Sequence, residues 1–181
     1  MHVKEATVQT AQVIQFTGRA LLWRGHEFPA TCVVRNELNR KREPWQIVYT
    51  MGSTKPHGIA YYPRPFPAGS WEVTTIADMG EDTVYWPTWI GTEATQELEV
   101  WSLDIRGFYE RRTGEYITGR GYGIHHARYH KGSRLVPSNT TLGCINVLSP
   151  SDARELGEEI REARGYRQHV ILDVPKWEDW Y

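Results

Sequence analysis

Through most of its first 126 residues the chain is cut into short runs rich in Val, Ile, Trp, Tyr and Thr, separated by Gly, Pro, Asn and charged residues. This rhythm constrains the fold more than any other feature. β-Branched and aromatic side chains suit a pleated surface, and breaks at this frequency leave little room for helices. Strands are expected at Gln12 to Thr17, Ala20 to Arg24, Thr31 to Arg35, Gln46 to Thr50, Ser70 to Ala77, Glu97 to Ile105, Phe108 to Arg111 and Gly121 to His126. In Glu97 to Ile105, Leu98, Val100, Leu103 and Ile105 nearly alternate with polar residues while Trp101 shifts the phase, so one face is expected to be wet. Arg111 to Glu115 reads as a hairpin turn, with Gly114 supplying the positive φ. Pro56, Pro63, Pro65 and Pro67, together with Gly58 and Gly69, make Lys55 to Gly69 a long loop and a candidate gate for a site.

One helix stands out against this background. Ser149 can cap it, Pro150 suits its first position, and Asp152 falls three residues after the cap. Ala153, Leu156, Ile160 and Ala163 then make a narrow apolar stripe, so the helix is expected from Pro150 to about Ala163, with Gly165 ending it and His169 to Val174 as a final buried strand. At 181 residues this makes one mainly β domain over 1–181, with a core at about 12–174 and a short tail at 175–181 that carries Trp177 and Trp180.

Lys plus Arg number 21 against 22 Asp plus Glu, so no global charge draws the chain to nucleic acid or to an acidic membrane. No apolar run approaches the ~20 residues of a membrane span, and MHVKEATVQT lacks the apolar stretch of a signal peptide. Of the two cysteines, Cys32 lies in the apolar run Thr31 to Val34 and reads as buried, whereas Cys144 follows a glycine in a polar loop. A single disulfide between them stays open.

The chemistry is concentrated in Gly121-Tyr-Gly-Ile-His-His-Ala-Arg-Tyr-His130 and Ser138-Asn-Thr-Thr-Leu-Gly-Cys-Ile-Asn-Val147. A cysteine attacks as thiolate and needs a base or a positive dipole nearby. His125 and His126 end a strand, where successive side chains point to opposite faces, so one of them at most can serve Cys144. Backbone N–H groups around Gly143 can converge on the oxyanion of a tetrahedral intermediate. Ile145 and Val147 would anchor the turn, leaving Cys144 and Asn146 on the other face of a short strand. A zinc site made of His126, His130 and Cys144 would need helical spacing for the histidines, and this segment reads as a strand, so no metal is expected.

These residues resemble the L,D-transpeptidases with a YkuD-type catalytic domain, whose signature is an upstream His-Gly and then Ser/Thr-His-Gly-Cys followed by an apolar residue and Arg or Asn. Ile124-His125 resembles the upstream histidine, Thr141, Gly143, Cys144, Ile145 and Asn146 match the downstream motif, and Ser149 to Ala153 resembles the helix start that follows it. Pro67 to Val73 resembles a further Thr-Pro-x-Gly-x-Phe segment, which extends the likeness over residues 12–174. Two positions depart from it: Leu142 stands where the family has histidine, and His126 where it has glycine.

The resemblance implies a β-sandwich-like fold and a cofactor-free enzyme with Cys144 as nucleophile and His125, rather than His126, as the favoured base. The implied substrates are peptidoglycan stem peptides, and the implied location is the periplasm or cell wall. In the family, a thioester formed as terminal D-alanine leaves is resolved by an amine to give a cross-link. Water at the same site would make the protein an L,D-carboxypeptidase or a phage-type wall hydrolase. Gly143, Leu142, Asn146 and Arg128 are the expected oxyanion or substrate contacts, and the basic stretch Arg128, Lys131, Arg134 suits the carboxylates of stem peptides. The rival reading is a peptidoglycan- or carbohydrate-binding module, motivated by eight tryptophans, two of them in the tail. Neither the oligomeric state nor the choice between transferase and hydrolase follows from the residues.

Overall fold

The structure is a computed structural model and describes residues 12–33, 65–95, 108–109, 116–117, 121–141 and 143–176. In chain order its elements are β1 (Gln12–Phe16), β2 (Ala20–Trp23), β3 (His26–Thr31), β4 (Gly69–Asp78), β5 (Thr88–Thr95), β6 (Phe108–Tyr109), β7 (Tyr116–Ile117) and β8 (Gly121–His125). They are followed by β9 (Arg128–Lys131), β10 (Arg134–Pro137), β11 (Ile145–Val147), the helix α1 (Pro150–Gly165) and β12 (Val170–Val174).

Eight of the strands close into a barrel in the order β1-β12-β4-β5-β8-β11-β3-β2 and back to β1. The fold is mainly β, but where the family likeness implies a sandwich, the strands form a closed barrel instead. A sandwich leaves an edge on each sheet, whereas here every one of the eight strands has two partners. Closure depends on two long-range joins. β1 pairs in parallel with β12, setting Gln12 beside Val170, and β3 pairs antiparallel with β11. Alternation along a strand specifies which face is buried, not which edge finds which partner, so this closure left no mark in the pattern of the segments.

The core follows from that alternation. Ile14 and Phe16 of β1, Leu21 and Trp23 of β2, Ile90 of β5, Ile124 of β8, Ile145 of β11 and Leu172 of β12 are fully buried in one cluster. Helix α1 adds Ala153, Leu156, Ile160 and Ala163 to the same cluster, and burying Leu156 and Ile160 alone contributes about 3–6 kcal/mol. Ser149 caps the helix by accepting from the Asp152 N–H, and Pro150 opens it. The helix lies so close to β5 that a Cβ on Gly157 would stand 2.5 Å from Thr88 Cγ2.

Several elements differ from the expectation. The strand expected at Thr31 to Arg35 lies earlier, at His26–Thr31, and holds Pro29 opposite Ala20. β5 follows Pro87 and contains Gly91, which broke the strand signal there. The basic stretch of Arg128, Lys131 and Arg134, where no strand is expected, lies in the hairpin β9–β10 around Gly132, whose φ is +64°. The strands expected at Gln46 to Thr50 and Glu97 to Ile105 lie outside the described residues, as do the turn at 111–115, most of the loop 55–69 and the tail tryptophans. Phe108–Tyr109 and Tyr116–Ile117 pair antiparallel on either side of that turn. Among the described residues no helix is long and apolar enough to cross a membrane.

Candidate active site

β5, β8 and β11 lie side by side, and the parallel register of β8 and β11 sets Ile145 beside Ile124 and Asn146 beside His125. Cys144, one residue before β11, therefore falls next to Gly123, whose N–H donates to the Cys144 Sγ at 3.4 Å. Ile124 and Ile145 face the core, so Gly123, His125 and Cys144 share the opposite face. A glycine at 123 is required there: a Cβ would come within 2.5 Å of the Trp89 indole and 2.7 Å of the Ile90 carbonyl oxygen. The indole lies across Gly123 and also over Gly91, where a Cβ would meet its Nε1 at 3.0 Å.

Trp89 joins the thiol and the imidazole in one aromatic nest. The His125 ring packs against Trp89 with centroids 5.4 Å apart and edge-on to Tyr85 at 5.0 Å. Cys144 and Tyr85 pack on the cluster of Ala77, Met79 and Trp89. Desolvation in this nest pushes the Cys144 thiol up to about 11 despite the Gly123 N–H, which favours the thiolate. The same burial holds His125 down at about 4, against the pull of the His126 backbone. The thiol and the imidazole are thus both held in their neutral forms in one nest, and the His125 Nδ1 is buried with no hydrogen-bond partner.

His126 is employed differently. Its Nδ1 lies 2.8 Å from the Val147 carbonyl oxygen. Because a carbonyl only accepts, Nδ1 carries the proton and Nε2 the lone pair. Burial, and then the Arg128 charge, lower its pKa.

The turn before Cys144 is held by side chains from both cysteines' neighbourhoods. The Gly143 N–H donates to Thr141 Oγ1 at 3.1 Å, and that hydroxyl donates onward to the Cys144 carbonyl at 2.7 Å. Cys32, fully buried, donates its S–H to the Gly143 carbonyl at 3.1 Å, and the Thr141 N–H reaches the Val33 carbonyl. Gly143 has φ +129°, which favours glycine. Both cysteines are free thiols.

Two of the other expected contacts, Asn146 and Arg128, make hydrogen bonds that fasten the scaffold. Asn146 is buried, accepting from the Ala127 N–H and donating to the Ser138 carbonyl, both at 2.8 Å, so it ties down the base of the β9–β10 hairpin. Arg128 donates to the carbonyls of Glu81 and Thr83 and lies over the Trp86 ring, which Arg154 also covers. Leu142 lies outside the described residues, and His130 is exposed on β9. Among the described residues no three His, Cys, Asp or Glu side chains gather as metal ligands.

Sequence reasoning missed Tyr85, Trp89, Gly123 and Cys32 as parts of the site, and had Thr141 as a motif match without its role of holding the turn. The available signal was the spacing of Gly91, Gly121 and Gly123 within aromatic strands, since glycine inside a strand marks close approach by a neighbour. Comparison with family models, curated proteins and solved structures returned no match. In this arrangement a half-buried thiol with a backbone donor on its sulfur shares a nest with an imidazole nitrogen that has no hydrogen-bond partner, a set that can serve nucleophilic attack on an acyl carbon, while desolvation of the thiol works against it.

Proposed function

We propose that the chain is a cysteine-dependent acyltransferase acting on peptidoglycan stem peptides in the manner of an L,D-transpeptidase, working in the periplasm or cell wall. The observation that carries this reading is the presence of Cys144 and His125 in one aromatic nest, with the Gly123 N–H on the sulfur. The motif likeness supplies the substrate class, and the parallel pairing of β8 with β11, which brings the two motif segments side by side, supports the reading.

His125 takes the thiol proton as Sγ bonds to the L-centre carbonyl carbon. The Gly143 N–H is committed to Thr141, so the Cys144 N–H is the donor best placed for the oxyanion. Collapse breaks the C–N bond to terminal D-alanine, whose amine leaves with the proton from His125, and a thioester remains on Cys144. An incoming amine gives its proton to His125, attacks the thioester and frees the thiol, forming a cross-link. Water in that role would give L,D-carboxypeptidase or hydrolase activity.

A second reading, a non-catalytic peptidoglycan- or carbohydrate-binding module, is favoured by one observation: a thiol at about 11 holds little thiolate near neutral pH. Intact-mass measurement after incubation with disaccharide tetrapeptides, and separately with a carbapenem, decides between the two. The expected result is an adduct on Cys144, absent from Cys144→Ala, with cross-linked or trimmed muropeptides. Unmodified protein and unchanged peptides would favour the binding module.

A further inference from the structure

We propose that the tip of the β9–β10 hairpin binds a carboxylate of the peptide substrate, an assignment that rests on the acyl-transfer reading. Of the three cations in this stretch, Arg128 is held by the Glu81 and Thr83 carbonyls, which leaves recognition to Lys131 and Arg134. The register sets these two directly opposite each other across the hairpin, and both are exposed. Like charges so placed repel and weaken the pair. No acidic residue occurs from 127 to 138, and among the described residues neither cation has an ion-pair partner. An anion standing between the two side chains removes that repulsion.

The rest of the hairpin fits this role. With the period of two, Tyr129 and its partner Val136 share the face of Lys131 and Arg134, and Tyr129 is exposed. A charged end beside an aromatic and an aliphatic side chain suits a carboxylate carried on an organic frame. The base is fastened by Asn146, two residues from Cys144, through the Ala127 N–H and Ser138 carbonyl. Four residues of strand rise about 13 Å from base to tip, roughly the reach of an extended peptide of four residues.

The test uses the full chain carrying Cys144→Ala, so that nothing turns over, and titrates in a disaccharide tetrapeptide with free carboxylates or its amidated counterpart. Lys131→Glu with Arg134→Glu is expected to weaken binding of the free-carboxylate peptide by about tenfold while binding of the amidated one changes by less than about twofold. Lys131→Glu alone separates binding from stability. It sets opposite charges across the hairpin and should leave the melting temperature equal or higher, yet weaken the carboxylate peptide by about threefold. Unchanged affinity in Lys131→Glu, equal affinity of the parent for both peptides, or no binding of either would overturn the proposal. Carboxylate-dependent binding without an adduct on Cys144 in the unmutated protein would sink the acyl-transfer reading and keep the hairpin's role; an adduct with unchanged Lys131→Glu affinity would do the reverse.

Discussion

The two faces of β5, β8 and β11 are buried almost equally and differ in what burial leaves unfinished. On the inner face Ile90, Ile124 and Ile145 present apolar atoms alone, so removal from water is wholly favourable. On the opposite face Trp89, His125 and Asn146 are also buried, but polar groups have gone in with the apolar ones. Asn146 finds a partner for each end of its amide, whereas the His125 Nδ1 has none and the Cys144 sulfur accepts one long bond. An unsatisfied buried polar group costs about 1–3 kcal/mol, so the second face gives up stability that the first supplies. If Cys144 is the nucleophile proposed above, the unpartnered His125 nitrogen beside its strand is stability given up for chemistry.

The sharpest way to test that contrast is to truncate one residue on each face. Cys144→Ala should abolish adduct formation and turnover and leave the melting temperature within a few degrees of the parent's. Ile124→Ala should do the opposite, losing about 2–5 kcal/mol of stability to the cavity while the folded fraction still labels at Cys144. Denaturant melts paired with intact-mass labelling read both quantities. If Cys144→Ala unfolds the protein and Ile124→Ala silences the thiol, the two faces are not divided in this way.

The histidines give the next largest effect. His125→Phe should reduce turnover by about 10²–10⁴-fold with little change in stability, because it keeps a ring packed against Trp89 and Tyr85 and removes a proton acceptor that holds no structural hydrogen bond through Nδ1. His126→Ala should instead cost about 1–3 kcal/mol of stability, since it leaves the buried Val147 carbonyl without its donor. Single-turnover kinetics and melts on both variants separate the roles, and a rate loss confined to His126→Ala would move the base by one residue.

Burial of His125 also predicts a pH dependence. Its folded pKa, about 4, lies below the unfolded value of 6.5, so between these values the unfolded chain binds a proton that the folded one refuses. Stability supplied by keeping the ring neutral is complete above about 6.5 and is lost as the pH falls toward 4, by about 3 kcal/mol at most. The lowered pKa of His126 adds in the same direction. Urea melts from pH 7 to 4 should therefore show a steeper decline for the parent than for His125→Phe.

The contrast between the faces also explains what could be read in advance. The helix was legible because a cap, a proline and four apolar residues at helical spacing are all local signals. Strands such as Gln12–Phe16 and Val170–Val174 were legible through alternation, but their mutual pairing was not, because residues 158 positions apart carry no shared pattern. Period two said that only one of His125 and His126 can share a face with Cys144, and the register of β8 on β11 sets His125 beside Asn146, two residues on from Cys144. Asn146 and Arg128 read as substrate contacts because they are polar residues near Cys144, and their hydrogen bonds to Ala127, Ser138, Glu81 and Thr83 show a fastening role that the residues alone did not signal. Trp89 and Tyr85 come from a stretch where Pro87 and Gly91 disguised the strand, so the cover over the site was invisible until the register of β5 on β8 was known.

The two cysteines carry the same comparison down to its smallest effect. Cys32 is fully buried in the main core and donates to the Gly143 carbonyl, so its sulfur works as a structural donor under the turn. Cys144 accepts from Gly123 on the opposite face and is the group that the proposed reaction would offer to substrate. Cys32→Ser keeps a donor for the Gly143 carbonyl and should preserve the labelling rate at Cys144. Cys32→Ala deletes the bond and a little volume, which should cost about 1 kcal/mol of stability and loosen the turn whose other fastening is Thr141. The labelling rate in Cys32→Ala should then shift by a factor of a few, because Thr141 still holds both the Gly143 N–H and the Cys144 carbonyl. A complete loss of labelling in Cys32→Ser would mean that the two sulfurs act as one chemical unit and that the division between faces does not extend to them.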